Sequence, residues 1–261
     1  MAMATETQTS RIITEVLRSV ARISLHNPPL NVIDLQMMDE LAQAVSDIES
    51  RPEISTIVIT SHSSAFSAGV DVAAHTPDKV EAMLSKFHAV IRALVGTTKV
   101  TIAAVNGHCL GGGAELAMIC DLVYTTDEAQ WGFPEIKLGC YPPVAVTALA
   151  ALVGQKHAAD LILTGRTISG SEAASIGLAN RAVPKDQLDG VVEDVLKQVS
   201  KLSPATLATT KKAIYAWDCM HFDKGLARAE KIYLDELMKT EDAREGINAF
   251  LEKREPQWKR K

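Results

Sequence analysis

Two glutamates set in apolar surroundings are the residues of this sequence best suited to moving protons. Glu115 stands inside Ala114-Glu115-Leu116-Ala117-Met118-Ile119-Cys120, and Glu135 follows Pro134 in Trp131-Gly132-Phe133-Pro134-Glu135-Ile136-Lys137-Leu138-Gly139. An unpaired carboxylate in such company is costly and drifts toward its neutral form, so each is either a paired structural group or a working acid/base. Two carboxyls that converge on one pocket divide proton donation and abstraction, because their repulsion separates their titrations. Whether these two converge is a question of tertiary structure.

Two glycine-bearing loops offer the complementary chemistry, backbone N–H groups aimed at an anion. Phe66-Ser67-Ala68-Gly69-Val70-Asp71 is made of small residues that leave its N–H groups accessible, although a plain turn would read the same way. Val105-Asn106-Gly107-His108-Cys109-Leu110-Gly111-Gly112-Gly113 feeds a strand into three glycines and the expected start of a helix, so free N–H groups and the positive helix end face one point. An oxyanion or a phosphate suits that geometry. A phosphate-binding P-loop is excluded, since Gly113 and Ala114 occupy the places of its Lys and Ser/Thr. A dinucleotide fingerprint fits poorly, because GxxxGGG is not GxGxxG, even with Glu135 about 20 residues on. His108 and Cys109 are sequence neighbours that point to opposite faces of an extended segment, which removes them as a nucleophilic pair and leaves them structural or pocket-lining.

The elements that must carry these loops follow from periodicity. Ile12 to Leu17 and Val20 to Leu25 read as a hairpin or a bent strand pair, stopped by Asn27-Pro28-Pro29. Met37, Met38, Leu41, Val45 and Ile48 recur at helical spacing behind Asp34, an N-cap candidate. The β-branched runs Ile54 to Thr60 and Val100 to Val105 predict covered strands on either side of a helix over about Asp78 to Val95, and Asp121 to Thr125 continues the sheet. Strand, helix, strand in this order argues for a parallel sheet with helices packed outside it. The apolar stretch Tyr141 to Gly154 predicts a buried helix, Ser169 and Glu172 have capping-box spacing, Leu178 to Val183 reads as a brief strand, and from Val191 on the pattern is helical.

Composition narrows the function classes. With 261 residues, 47% apolar and 23% charged, the chain reads as an ordinary globular protein of one large domain, or of one domain with a helical extension. Its 27 basic against 32 acidic side chains provide no positive field for a nucleic acid. The longest apolar stretch falls short of a membrane span of about 20 residues. The N-terminus lacks the features of a leader, so a cytoplasmic location is expected. Cys109, Cys120, Cys140 and Cys219 form no CxxC pair, and no metal-ligand spacing is present; reduced, mostly buried thiols are expected, with neither disulfide nor metal.

Taken in order, Asn27-Pro28-Pro29-Leu30-Asn31, Phe66 to Asp71, Ala103 to Asp121, Phe133 to Gly139, Leu163-Thr164-Gly165-Arg166, Ala174 to Pro184, and Glu245-Gly246 through Phe250-Leu251-Glu252-Lys253-Arg254 resemble the enoyl-CoA hydratase/isomerase (crotonase) superfamily. The resemblance implies an α/β fold, a spiral of strand-strand-helix units with a helical C-terminal region, divided here as 1–195 for the spiral core with the acyl-CoA site and 196–261 for a trimerisation region. It implies a homotrimer or a dimer of trimers acting on an acyl-CoA thioester, with no cofactor apart from the CoA of the substrate. By motif it assigns Glu115 and Glu135 as catalytic, the N–H groups of Val70 and Gly112 as the oxyanion hole, and Ala68, Asp71, Gly111, Pro134, Tyr141 and Pro143 as substrate-binding.

Keeping both glutamates favours addition of water over isomerisation or hydrolysis on the same scaffold. One departure from the family pattern is Cys140-Tyr141-Pro142-Pro143-Val144, where hydratases have a Pro-Gly step whose N–H helps hold water; Pro143 has no N–H to give. With Pro28-Pro29-Leu30-Asn31, this Pro-Pro variant is similar to the branch of cyclohexa-1,5-diene-1-carbonyl-CoA hydratases of anaerobic aromatic degradation. That similarity implies a pocket shaped for a flat ring by Tyr141, Pro143 and Val144. The alternatives are a general short-chain enoyl-CoA hydratase of fatty-acid oxidation, an isomerase or hydrolase, and a silent CoA-binding assembly subunit. The basic run Lys253, Arg254, Lys259, Arg260 and Lys261 reads as a solvated tail, or as one that reaches the CoA phosphates of a neighbouring subunit.

Overall fold

A computed structural model describes residues 9–215 and 218–259 of the chain. The leaderless reading of residues 1–8, the last two members of the basic run, Arg260 and Lys261, and the side chain of Cys219 lie outside what it describes.

The hairpin expected at the start forms from β1 (Ile12–Leu17) and β2 (Val20–Leu25). Helix α1 (Leu35–Glu49) begins where Asp34 accepts the Met37 N–H, as its sequence position implies, and buries Met37, Met38, Leu41, Val45 and Ile48. Strand β3 (Thr56–Ser61), helix α2 (Val80–Gly96) and β4 (Val100–Val105) form the anticipated unit, with β3 starting two residues later than the β-branched run. Next come β5 (His108–Leu110), the short helix α3 (Gly112–Met118), β6 (Leu122–Thr126) and β7 (Gln130–Gly132). After them the chain forms α4 (Pro143–Val153), α5 (Gln155–Thr164), β8 (Thr167–Ser169), α6 (Gly170–Ser175) and β9 (Arg181–Val183). Four helices complete it: α7 (Leu188–Val199), α8 (Pro204–Ile214), α9 (Asp218–Asp235) and α10 (Glu241–Leu251).

The large sheet has the order β1-β2-β3-β4-β6-β9, parallel from β2 onward, so the loops after β3, β4 and β6 leave the same edge. A second sheet, β5-β7-β8, was not anticipated. Its strands have three residues each, too few for period-two alternation to register. This small sheet fixes the loops: Cys109 pairs with Trp131, and the Gly111 N–H donates to Gly132 O at 2.9 Å.

Several local expectations shift. The stretch Tyr141 to Gly154 yields α4, which buries Val144, Ala145, Leu149 and Val153 but leaves Val146 and Leu152 exposed, so it is a boundary helix rather than a buried one. Ser169 accepts the Glu172 N–H, yet Glu172 turns its carboxylate to Arg166 instead of closing the capping box. In place of β-structure over 178–183, only Arg181–Val183 pairs. Arg254 is not a free cation of a solvated tail; its guanidinium clasps Glu245 and Glu252. Among the described residues no helix is long and apolar enough to cross a membrane.

The C-terminal helices lie against the rest of the chain. Lys211 of α8, 7% exposed, bridges to Asp121 at 2.8 Å and donates to Lys99 O, while Asp121 also accepts from the Thr101 N–H and hydroxyl. Helix α9 packs along α4 and α2 and buries Leu226 and Tyr233.

Candidate active site

The loops after β3, β4 and β6 meet at one small cavity of about 70 Å³. Ala68, Val70, Gly111, Gly112, Glu115, Pro134, Glu135, Tyr141 and Pro143 all line it. The convergence that sequence spacing left open is therefore met.

Asp71 is the exception among the expected binding residues. Its carboxylate accepts the Ala73 N–H at 3.0 Å and caps the single turn Val72–His75, and it does not line the cavity. His108 and Cys109 do not line it either. Cys109 is fully buried, with its thiol toward Gly113 O, which makes it structural.

The loop at 66–70 is held beside β5 by Ser67 N–H to His108 O at 2.9 Å and Leu110 N–H to Ser67 O at 3.0 Å. That register brings Val70 next to Gly112: a Cβ added at Gly112 would stand 2.6 Å from Val70 Cγ2 and 3.4 Å from Val70 N. Among the described residues neither the Val70 nor the Gly112 N–H donates to another group of the chain. Gly112 opens α3, where N–H groups have no partner within the helix. Two unspent donors thus lie side by side on the cavity wall.

Glu115 is one turn further along α3 and only 3% exposed. Its Oε1 accepts the Val144 N–H at 2.8 Å and the Ala145 N–H at 2.9 Å, the first free donors of α4. Burial raises its pKa to about 7, and the two N–H groups work against that rise. Glu135 sits in the turn Pro134–Leu138, which Gly139 ends in a left-handed conformation. Its Oε2 is buried with no partner, and burial together with the Glu115 carboxyl raises its pKa to about 8. Gly111, with φ +50°, lies directly beneath: a Cβ there would be 2.5 Å from Glu135 Oε1. Glycine suits that φ with its ψ of −127° and leaves room for the carboxyl.

The other walls come from residues that sequence reasoning did not single out. Helix α2 supplies Met83, Leu84, Phe87 and His88, and α9 supplies Tyr233, whose ring meets Tyr141 edge-on at 5.1 Å. The site is therefore not confined to residues 1–195. The sequence predicts a helix here without marking any face of it as a cavity wall. Tyr233 lies in a charged helical stretch that reads as solvated or subunit-facing, so no sequence signal identified it.

An enoyl-CoA hydratase/isomerase family model matches residues 15–261. A probable enoyl-CoA hydratase of Mycobacterium tuberculosis is 36% identical over 250 residues, covering 95% of this chain and 97% of that protein. A cyclohexa-1,5-dienecarbonyl-CoA hydratase of Thauera aromatica is 32% identical over 240 residues, covering 92% and 93%. Among solved structures, an enoyl-CoA hydratase/isomerase from Xanthobacter autotrophicus superposes with a TM-score of 0.84 at 30% identity, covering 94% of this chain and 97% of that one.

Proposed function

The chain belongs to the enoyl-CoA hydratase/isomerase family and is a hydratase-type lyase acting on an acyl-CoA thioester; from that premise we propose that its reaction is addition of water across the conjugated double bond of a 2-enoyl-CoA. The observation that carries the proposal is the grouping of two buried carboxyls with two unspent N–H donors around one cavity.

In this reading the thioester oxygen is held by Val70 N–H and Gly112 N–H. Glu115, whose charge two α4 N–H groups favour, takes a proton from water as the water oxygen bonds to the β-carbon. The displaced π electrons collect on the thioester oxygen, where the two donors stabilise a charge absent from the ground state. Glu135, without a partner for Oε2, holds its proton more firmly and delivers it to the α-carbon, after which proton exchange restores the pair. Each catalytic cycle begins with one proton on the pair.

Met83, Phe87, Pro143 and Tyr233 are among the residues that line the small cavity. The broader set of relatives, described as enoyl-CoA hydratases, favours a general enoyl-CoA substrate. A second reading, a cyclic dienoyl-CoA, rests on the Thauera aromatica relative and on Tyr141 and Pro143 at the cavity wall. The assembly proposed is a homotrimer or a dimer of trimers, with 196–261 contributing contacts. Incubating the protein with crotonyl-CoA and with cyclohexa-1,5-diene-1-carbonyl-CoA tests both substrates. A product heavier by one water supports the reading, and unchanged thioester with either substrate tells against it.

A further inference from the structure

His88 on α2 is a cavity residue for which the hydration chemistry has no use. Its side chain is 0% exposed, and it lines the same cavity as Glu115 and Glu135. Its Nδ1 lies 2.5 Å from Glu230 Oε1 of α9. Its other nitrogen, Nε2, is buried and has no partner.

The protonation of this ring follows from its neighbours. Glu230 also receives Arg92 Nη2 at 3.1 Å, and a carboxylate so held only accepts. The ring must then carry its proton on Nδ1 and donate it to Glu230. Burial moves His88 toward the neutral form, with Glu230 opposing. A neutral ring protonated on Nδ1 presents a lone pair at Nε2, so the free position accepts a hydrogen bond and cannot donate one.

A buried acceptor on an otherwise apolar wall carries a desolvation cost that a hydrocarbon ligand cannot offset. Met83, Leu84 and Phe87 on the same helix need only apolar contact. A ligand with an O–H group on its acyl portion satisfies Nε2.

Resting on the hydratase reading above, we propose that His88 is a specificity-determining residue that selects acyl-CoA thioesters bearing a hydroxyl group on the acyl portion, in addition to the thioester oxygen, and that Glu230 is the positioning residue that fixes the ring as an acceptor. Hydroxylated acyl-CoA thioesters are thereby preferred over their plain hydrocarbon counterparts.

The test measures binding separately from turnover. Dissociation constants of matched saturated acyl-CoA thioesters of four to eight carbons, each with and without a hydroxyl at C4 or beyond so that none is the 3-hydroxy product of hydration, are measured by calorimetry on the protein. In the wild type at least one hydroxylated member binds about 10-fold or more tightly than its plain partner, equivalent to about 1.4 kcal/mol. In His88→Phe that ratio falls to about one. In Glu230→Gln, whose amide no longer dictates the tautomer, it falls part of the way. A ratio near one across the wild-type panel, or a ratio unchanged in His88→Phe, overturns the proposal. If His88→Phe shows no cooperative melt, an unchanged ratio in Glu230→Gln overturns it equally. Turnover of the matching 2-enoyl-CoA thioesters is read in parallel: absence of hydration with the binding ratio intact refutes the hydratase reading alone.

Discussion

Glu115 Oε1 accepts the Val144 N–H at 2.8 Å, so the carboxyl proposed as base is also the cap of α4. Pro143, the preceding residue, has no N–H, and the Ala145 N–H is taken up by the same oxygen. The wall formed by the start of α4 therefore has its first donors committed to Glu115 and offers none of them to a ligand.

This double duty separates two substitutions at one position. Glu115→Gln keeps an oxygen for the α4 donors and loses the base, so hydration falls at least about 100-fold while thermal stability changes little. Glu115→Ala loses both and also melts lower, by the about 1 kcal/mol typical of a lost cap or more. Rates and melting curves of the two variants, side by side, check the assignment.

The raised pKa values predict a bell-shaped pH dependence of kcat/KM. The active form carries one proton on the pair, so the rate climbs as the first carboxyl ionises and declines as the second does, with both limbs above the ordinary carboxylate range. A rate profile from pH 5 to pH 10 is the measurement. A flat profile across that span contradicts a shared proton.

Stability depends on pH through the same pair, with the opposite sign to that of a salt-bridged carboxylate. The folded chain holds these protons up to about pH 7 to 8, whereas unfolded glutamates release them near 4.5. Between those limits the native state binds more protons than the unfolded one, so stability is lost as pH rises. Glu135→Gln removes much of this loss: its melting temperature exceeds that of the wild type by more at pH 8 than at pH 5.

At the donor pair, Gly112→Ala forces a Cβ to within 2.6 Å of Val70 Cγ2 and 3.3 Å of Phe87 Cζ. The Val70 side chain must shift, and the added methyl stands 3.4 Å from Val70 N, crowding the space between the two donors. The expected result is a fall in kcat of about 100-fold, the scale of losing one oxyanion donor, with a smaller change in KM. Steady-state kinetics on the best substrate decide it.

Lys211→Ala leaves Asp121 partly buried without its cation, at a cost of about 3 kcal/mol for a broken buried pair. Thr101 retains two hydrogen bonds to Asp121 and keeps the cost from running higher. A melting temperature lower by about 10 °C is expected from differential scanning calorimetry.

What the sequence determined by itself is what neighbours within about one helical turn decide. Asp34 capping α1, the β-branched covering of β3 and β4, and the start of α3 at Gly112 all follow from residues a few positions apart. The same local view marked Glu115 and Glu135, because a carboxyl among apolar residues is unusual in any fold. It did not show that the Asp71 carboxylate also caps the local turn Val72–His75.

Only the tertiary structure decided which of these groups share a cavity. The three-residue strands β5, β7 and β8 gain their hydrogen bonds from segments distant in the chain, so no local pattern announces the sheet that holds Gly111 against the Glu135 segment. Glu230 and Tyr233 lie in a charged helix whose sequence reads as solvent-facing or subunit-facing. Tyr233 comes to line the cavity because α9 folds onto α2 and α4, and the same packing brings Glu230 to His88 across 142 positions of sequence. Propensity and capping are short-range energies, whereas the convergence of His88, Glu115, Glu135 and Tyr233 is a property of how helices pack on the sheet edge.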